Sequence, residues 1–147
     1  MSAATDATEF IADHPRSILV THRRDGGIQA SPVRVMVDDE GGIVATTRAK
    51  TAKVANLERD PRCSLCVISE GWTGPWMTIE GTASVHRLPE ALPRLRDFFS
   101  KRDGSLPPEE EFRASMEREG RVILSFTVER STPLPAPASG RAGRSGP

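Results

Sequence analysis

Trp76-Met77-Thr78-Ile79-Glu80-Gly81-Thr82-Ala83-Ser84-Val85-His86 alternates without a break. Met77, Ile79, Gly81, Ala83 and Val85 fall on one side; Trp76, Thr78, Glu80, Thr82, Ser84 and His86 fall on the other. Successive side chains of a strand point to opposite faces, so this period of two predicts a long strand. One of its faces is small and apolar, and the other is polar with a single aromatic. Gly81, in mid-strand, marks a bend or a close backbone approach.

Before this strand, residues 62–69 read as a mostly apolar strand, joined to it by the Gly-rich connection 70–75. Further back lie two turns, Asp25-Gly26-Gly27 and Asp38-Asp39-Glu40-Gly41-Gly42, whose glycines supply left-handed backbone. They separate strands over 17–22, 29–37 and 43–47, with Val33, Val35 and Val37 on one face of the second. A short opening helix over 6–13, capped by Thr5 or Asp6, turns Phe10 and Ile11 inward and ends at Pro15. Thr51 caps a helix over 52–59 with Val54 and Leu57 on one face, ended by Asp60-Pro61.

After the long strand the period becomes helical. Leu92, Leu95 and Phe99 mark a helix within 88–102 whose start Pro93 limits. A second helix over 107–119 turns Phe112 and Met116 inward and ends at Gly120. Its acidic Glu109, Glu110 and Glu111 suit a helix N-terminus better than a metal cage. A last strand over 121–128 points Val122, Leu124, Phe126 and Val128 inward. The order β-β-β-α-β-β-α-α-β, mainly β with flanking helices, predicts a closed antiparallel barrel over residues 1–130. The Pro, Ala, Ser, Gly and Arg composition of 131–147 predicts a flexible tail.

Composition narrows the function. Twenty Lys and Arg balance 20 Asp and Glu, and there are two Trp, five Phe and no Tyr. Neither the charge nor the aromatics favour nucleic acid. No apolar run reaches the ~20 residues of a membrane span, and residues 1–9 lack the pattern of a secretory leader, so the expected location is the cytoplasm. Cys63 and Cys66 stand three apart on a strand and so face opposite ways; with His14, His22 and His86 scattered, they are packing thiols rather than metal ligands.

Polar chemistry is densest in Thr46-Thr47-Arg48-Ala49-Lys50-Thr51-Ala52-Lys53-Val54-Ala55-Asn56, where a strand passes into a helix. Free N–H groups and the positive end of a helix dipole favour an anion there. On composition alone the stretch reads equally as a phosphate cradle or as a capped, solvated helix start. No catalytic base, nucleophile, Walker loop or dinucleotide glycine motif stands out.

The segment Lys53-Val54-Ala55-Asn56-Leu57-Glu58-Arg59-Asp60-Pro61-Arg62 resembles the Lys-x-x-Asn-Leu-x-x-Asp-Pro-Arg signature of actinobacterial pyridoxamine-5'-phosphate-oxidase-like proteins, many of which use coenzyme F420. Asp25-Gly26-Gly27-Ile28-Gln29-Ala30-Ser31-Pro32-Val33 is similar to their first hairpin. Trp76–Ala83 and Arg121-Val122-Ile123-Leu124 are similar to their penultimate and final strands. This chain departs in having Thr51 where many relatives carry an arginine, with Arg48 or Lys50 as replacements, and in its 71–75 connection.

The resemblance implies a split β-barrel of the FMN-binding type, acting as a cytoplasmic homodimer with its cofactor between subunits. Lys53 would bind the cofactor phosphate, with Thr46, Thr47 and Thr51 lining the pocket and Asn56 hydrogen-bonding nearby. Gln29, Ser31, Pro32 and Val33 would border the ring. Trp76 would pack beside the ring or serve as an interface aromatic, with Trp72 competing for the same role. Arg121 would meet an anionic part of the cofactor or simply open a solvated strand. The implied activity is hydride transfer between F420 and a small organic substrate stacked on its ring, with the proton from solvent or a hydroxyl. FMN is the alternative cofactor, and a non-enzymatic, cofactor-sequestering barrel the alternative role.

Overall fold

Inward and outward residues separate along each strand as the period of two requires. In the computed structural model, which describes residues 2–132, the chain runs α1 (Ala3–Asp13), β1 (Arg16–His22), β2 (Ile28–Val37), β3 (Ile43–Arg48) and α2 (Ala52–Arg59). It continues through β4 (Arg62–Ile68), β5 (Trp76–His86), α3 (Leu92–Asp103), α4 (Glu109–Glu119) and β6 (Arg121–Thr132). The expected element order and mainly β class are both found. Every pairing is antiparallel, and the order β1-β2-β3-β6-β5-β4 closes where β4 returns to β1.

The interior holds Leu19, Val35, Ala45, Leu65, Met77, Ile79, Ala83, Val122 and Leu124. Ala7 and Ile11 of α1 and Val54 and Leu57 of α2 belong to the same cluster, so these two helices stopper the barrel. A second cluster lies outside it. There Val44 and Ile123, on the outer faces of β3 and β6, meet Leu95, Phe98 and Phe99 of α3 and Phe112 and Met116 of α4. Cys63 is buried in the interior and Cys66, on the other face of β4, is half-buried. Burial pushes the Cys63 thiol up to about 12, which keeps it protonated and unreactive.

Gly81 is the close approach expected. The β5–β6 register shifts between Glu80 and Gly81, and a side chain at Gly81 would begin 1.9 Å from the Thr127 carbonyl oxygen. Only glycine fits this bulge.

Two boundaries differ. α1 begins a turn earlier, capped by Ser2, whose hydroxyl accepts from the Thr5 N–H at 3.1 Å. Ala3 and Ala4 are strong helix formers and extend the helix back from Thr5 and Asp6. β6 continues to Thr132, where Ser131 and Thr132 pair with Ile79 and Thr78. The two residues read as the start of the tail therefore complete the sheet. The rest of the expected tail lies outside the described residues. Among those described, no helix is long and apolar enough to cross a membrane.

Candidate functional site

The turn from β3 into α2 is built by Thr51. It stands at the N-cap position in extended backbone, but its hydroxyl donates back to the Arg48 carbonyl at 3.0 Å instead of accepting from the helix. The side-chain cap expected of Thr51 is therefore not made. The opening N–H groups of α2 are left to other acceptors.

Lys53 stands in that first turn. Its Nζ lies 3.5 Å from the Thr47 hydroxyl and makes no ion pair among the described residues. Burial holds its ammonium below the usual lysine range. A partly desolvated cation without a counter-ion, beside a hydroxyl and a helix N-terminus, is an incomplete electrostatic arrangement. An anion would complete it.

Asn56, 6% exposed, plays a different part. Its Nδ2 donates to Thr21 Oγ1 at 3.0 Å and to Gln29 Oε1 at 3.2 Å. Its Oδ1 accepts from Arg59 at 3.2 Å, and Arg59 also donates to the His22 carbonyl at 2.5 Å. Both amide hydrogens are used, so Asn56 fastens α2 to the β1–β2 hairpin and has no free donor for a ligand. The rest of the Asn-Leu-x-x-Asp-Pro-Arg segment is architectural too. Leu57 plugs the barrel, and Asp60 turns the chain by accepting from the Arg62 N–H and guanidinium. Beside this joint a cleft of about 450 Å³ is lined by Arg23, Arg24, Asp25, Gln29, Ala52, Asn56 and Arg59.

The other expected site residues divide among three places. Gln29, Ser31 and Val33 lie on the inner side of β2, and the Ser31 hydroxyl is buried without a partner. Thr47 shares the interior side with Val122, whereas Thr46 pairs with Ile123 on the outer side and donates to the Val122 carbonyl at 2.9 Å. Pro32 and Trp76 are exposed on the outside of the sheet; Trp76 is 40% exposed and Trp72, on the connecting loop, 77%. Arg121 is held by Glu119 at 2.8 Å and lies over the Phe99 ring at 5.6 Å, away from Lys53 on the face that the helices cover. The chain thus gathers Thr47 and Lys53, with the Gln29–Asn56 joint behind them. It does not bring Trp76 or Arg121 to that place.

Thr21 and Arg59 were missed as partners of the joint. A threonine at an inward strand position, 1% exposed, was the signal. Such a hydroxyl needs a partner, and the next polar side chain able to reach it lies on α2.

Over residues 4–134 the chain matches the family described as pyridoxamine 5'-phosphate oxidase. Among solved structures it is similar to a conserved hypothetical protein of Mycobacterium tuberculosis, at 26% identity and TM-score 0.70, covering 95% of this chain and 92% of that one. It also shares its fold with an F420 reductase, at 22% identity and TM-score 0.63, over 84% and 94% of the two chains. The haem storage protein HutZ of Vibrio cholerae shares it as well, at 18% identity and TM-score 0.64, over 88% and 92%.

Proposed function

The chain belongs to the pyridoxamine 5'-phosphate oxidase family, and from that premise we propose that it is an F420-dependent oxidoreductase, a cytoplasmic homodimer passing a hydride between the deazaflavin and a small organic substrate. The observation that carries the reading is Lys53, a partly buried cation at the start of α2 with no ion pair among the described residues. Lys53 and Thr47 bind the cofactor phosphate, helped by the N–H groups that Thr51 leaves unsatisfied. The Ser31 hydroxyl, buried without a partner, offers a donor toward the ring. Asn56, Thr21 and Gln29 position rather than bind, because they lock α2 against the hairpin and so fix where Lys53 stands.

When bound, the deazaflavin supplies the carbon that takes up or gives the hydride, and the protein supplies orientation and a dry surface. Pro32 and Trp76 lie on the outer face of the sheet, and a second copy docked there brings them toward its neighbour's cofactor. The choice of F420 over FMN rests on the resemblance of Lys53–Arg62, supported by the F420 reductase among the proteins of this fold.

Parallel binding titrations with F420, FMN and FAD test the proposal. The expected result is tightest binding of F420, weakened by Lys53→Ala about tenfold to a hundredfold, as loss of one charge-assisted hydrogen bond predicts. Tighter binding of FMN would transfer the reading to a flavin enzyme. Equal affinities for Lys53→Ala and the parent would remove the phosphate site altogether. Because Lys53 already sits below the usual lysine range, affinity falls as alkaline pH removes its proton, and Lys53→Arg extends binding upward in pH.

A further inference from the structure

Arg16 and Arg34 face each other directly across β1 and β2. Like charges in opposed positions repel, so a strand pair keeps them only where something else compensates. Arg16 has its compensation in Glu70 at 3.0 Å. Arg34 makes no ion pair among the described residues, and Asp103, whose carboxyl feels its charge, is already bound to Arg102 at 2.7 Å. Both arginines border a cleft of about 340 Å³ whose other walls include Pro15, Ile18, Pro32 and Ile68. A smaller hollow of about 190 Å³ continues from it past Asp13, His14 and Glu70.

An apolar cleft of this size bordered by a cation with no ion pair among the described residues has the make-up of a small-ligand site. We propose that it binds a small amphipathic anion, with an apolar body against Ile18, Pro32 and Ile68 and a carboxylate or sulfonate on the Arg34 guanidinium. Asp13 in the adjoining hollow repels a second negative charge, so the cleft selects a monoanion. In the proposed dimer Pro32 also approaches the neighbour's cofactor, and the ligand is therefore the substrate class of the oxidoreductase. That last identification rests on the proposed function; the binding site itself does not.

Fluorescence titration of the full chain with 1-anilinonaphthalene-8-sulfonate tests it, with neutral 1-anilinonaphthalene as the partner probe. The sulfonate should bind one site per chain and bind about tenfold more tightly than the neutral probe, the difference an Arg-anion bond makes. Arg34→Gln should abolish that preference and Arg34→Lys should restore part of it. Arg24→Gln, which changes an arginine beside the other cleft with no ion pair among the described residues, should leave it intact. Equal binding of the two probes, or an Arg34→Gln protein that binds sulfonate like the parent, overturns the proposal. Lys53→Ala separates the two readings. If it loses F420 but keeps the sulfonate preference, both stand; if F420 binding survives while Arg34→Gln removes the preference, only the cofactor site falls.

Discussion

The outside of this barrel is finished on one side and unfinished on the other. On β3 and β6, Val44 and Ile123 are covered by Leu95, Phe98, Phe99, Phe112 and Met116, with Phe98 and Phe99 edge-to-face at 5.7 Å. On β2, β1 and β4, the outward Ile18, Val20, Ala30, Pro32, Cys66 and Ile68 have no helix of the described residues over them, and Ile28 beside them is 56% exposed. Both faces are apolar enough to gain from cover. The difference is cover. On one face aromatics from two helices conform to Val44 and Ile123, whereas the open one interrupts its branched side chains with Ala30, Pro32 and Cys66 and carries the cleft beside Arg34. An uncovered apolar sheet face fits another sheet, which is why we propose a second copy for the open side.

The sharpest way to break this contrast is to damage the covered face. Phe98→Ala should cost about 3–5 kcal/mol of unfolding free energy, because the ring is 2% exposed and its neighbours are too constrained to refill the space. Urea denaturation reads the loss. A change within about 0.5 kcal/mol would mean that α3 and α4 are not the seal described. The corresponding test of the open face is Ala30→Arg. Sedimentation should give the parent twice its 16.0 kDa chain mass and the variant the single-chain mass, with unchanged far-ultraviolet circular dichroism. A parent that sediments as a single chain at micromolar concentration leaves the open face without its assigned occupant.

Between the two faces stands the α2 joint, held by hydrogen bonds as well as by Val54 and Leu57. Asn56→Leu strands Thr21 and Gln29 without their donor, and burial of those groups predicts a loss of about 1–3 kcal/mol. Cofactor affinity should fall with it, since Lys53 rides on the same helix. Asn56→Leu with parental stability and weakened cofactor binding would instead make Asn56 a direct ligand.

Much of this was legible in the amino-acid sequence, for identifiable reasons. The hairpins were marked by Gly26 and Gly41, which adopt φ of 89° and 85°, and the strands by strict alternation. The end of β6 was not legible, because Glu129-Arg130-Ser131-Thr132 has no apolar alternation; its pairing is imposed by β5 across the Gly81 bulge. The site was legible in part. Lys53 and Thr47 are neighbours in the fold, as expected. The division of Thr46 and Arg121, which face outward, from Thr47, which faces inward, follows from strand pleating, which sends adjacent residues to opposite faces however close they stand in sequence. The role of Asn56 was hidden because its partners, Thr21 and Gln29, are 35 and 27 residues away.

The smallest effect belongs to Asp60, and it separates the joint from the seal by pH. The Arg62 guanidinium and N–H together hold the Asp60 carboxyl down at about 2, against an ordinary value of 3.8. A carboxyl whose folded-state pKa is depressed adds stability above its ordinary value and loses that contribution as pH falls through the folded one. Asp60→Asn should therefore be less stable than the parent by a constant margin from neutral pH to about pH 5, and by a smaller margin near about pH 3. Both partners face solvent, so the margin is modest and shrinks in high salt. The contacts of Phe98 do not titrate, and the deficit of Phe98→Ala should stay level over the same range. Urea denaturation of the two variants and the parent across that pH series reads both. A deficit of Asp60→Asn that stayed level into acid would show that the turn depends on the shape of the side chain rather than on its charge. The α2 joint would then be held by geometry, as the covered face is.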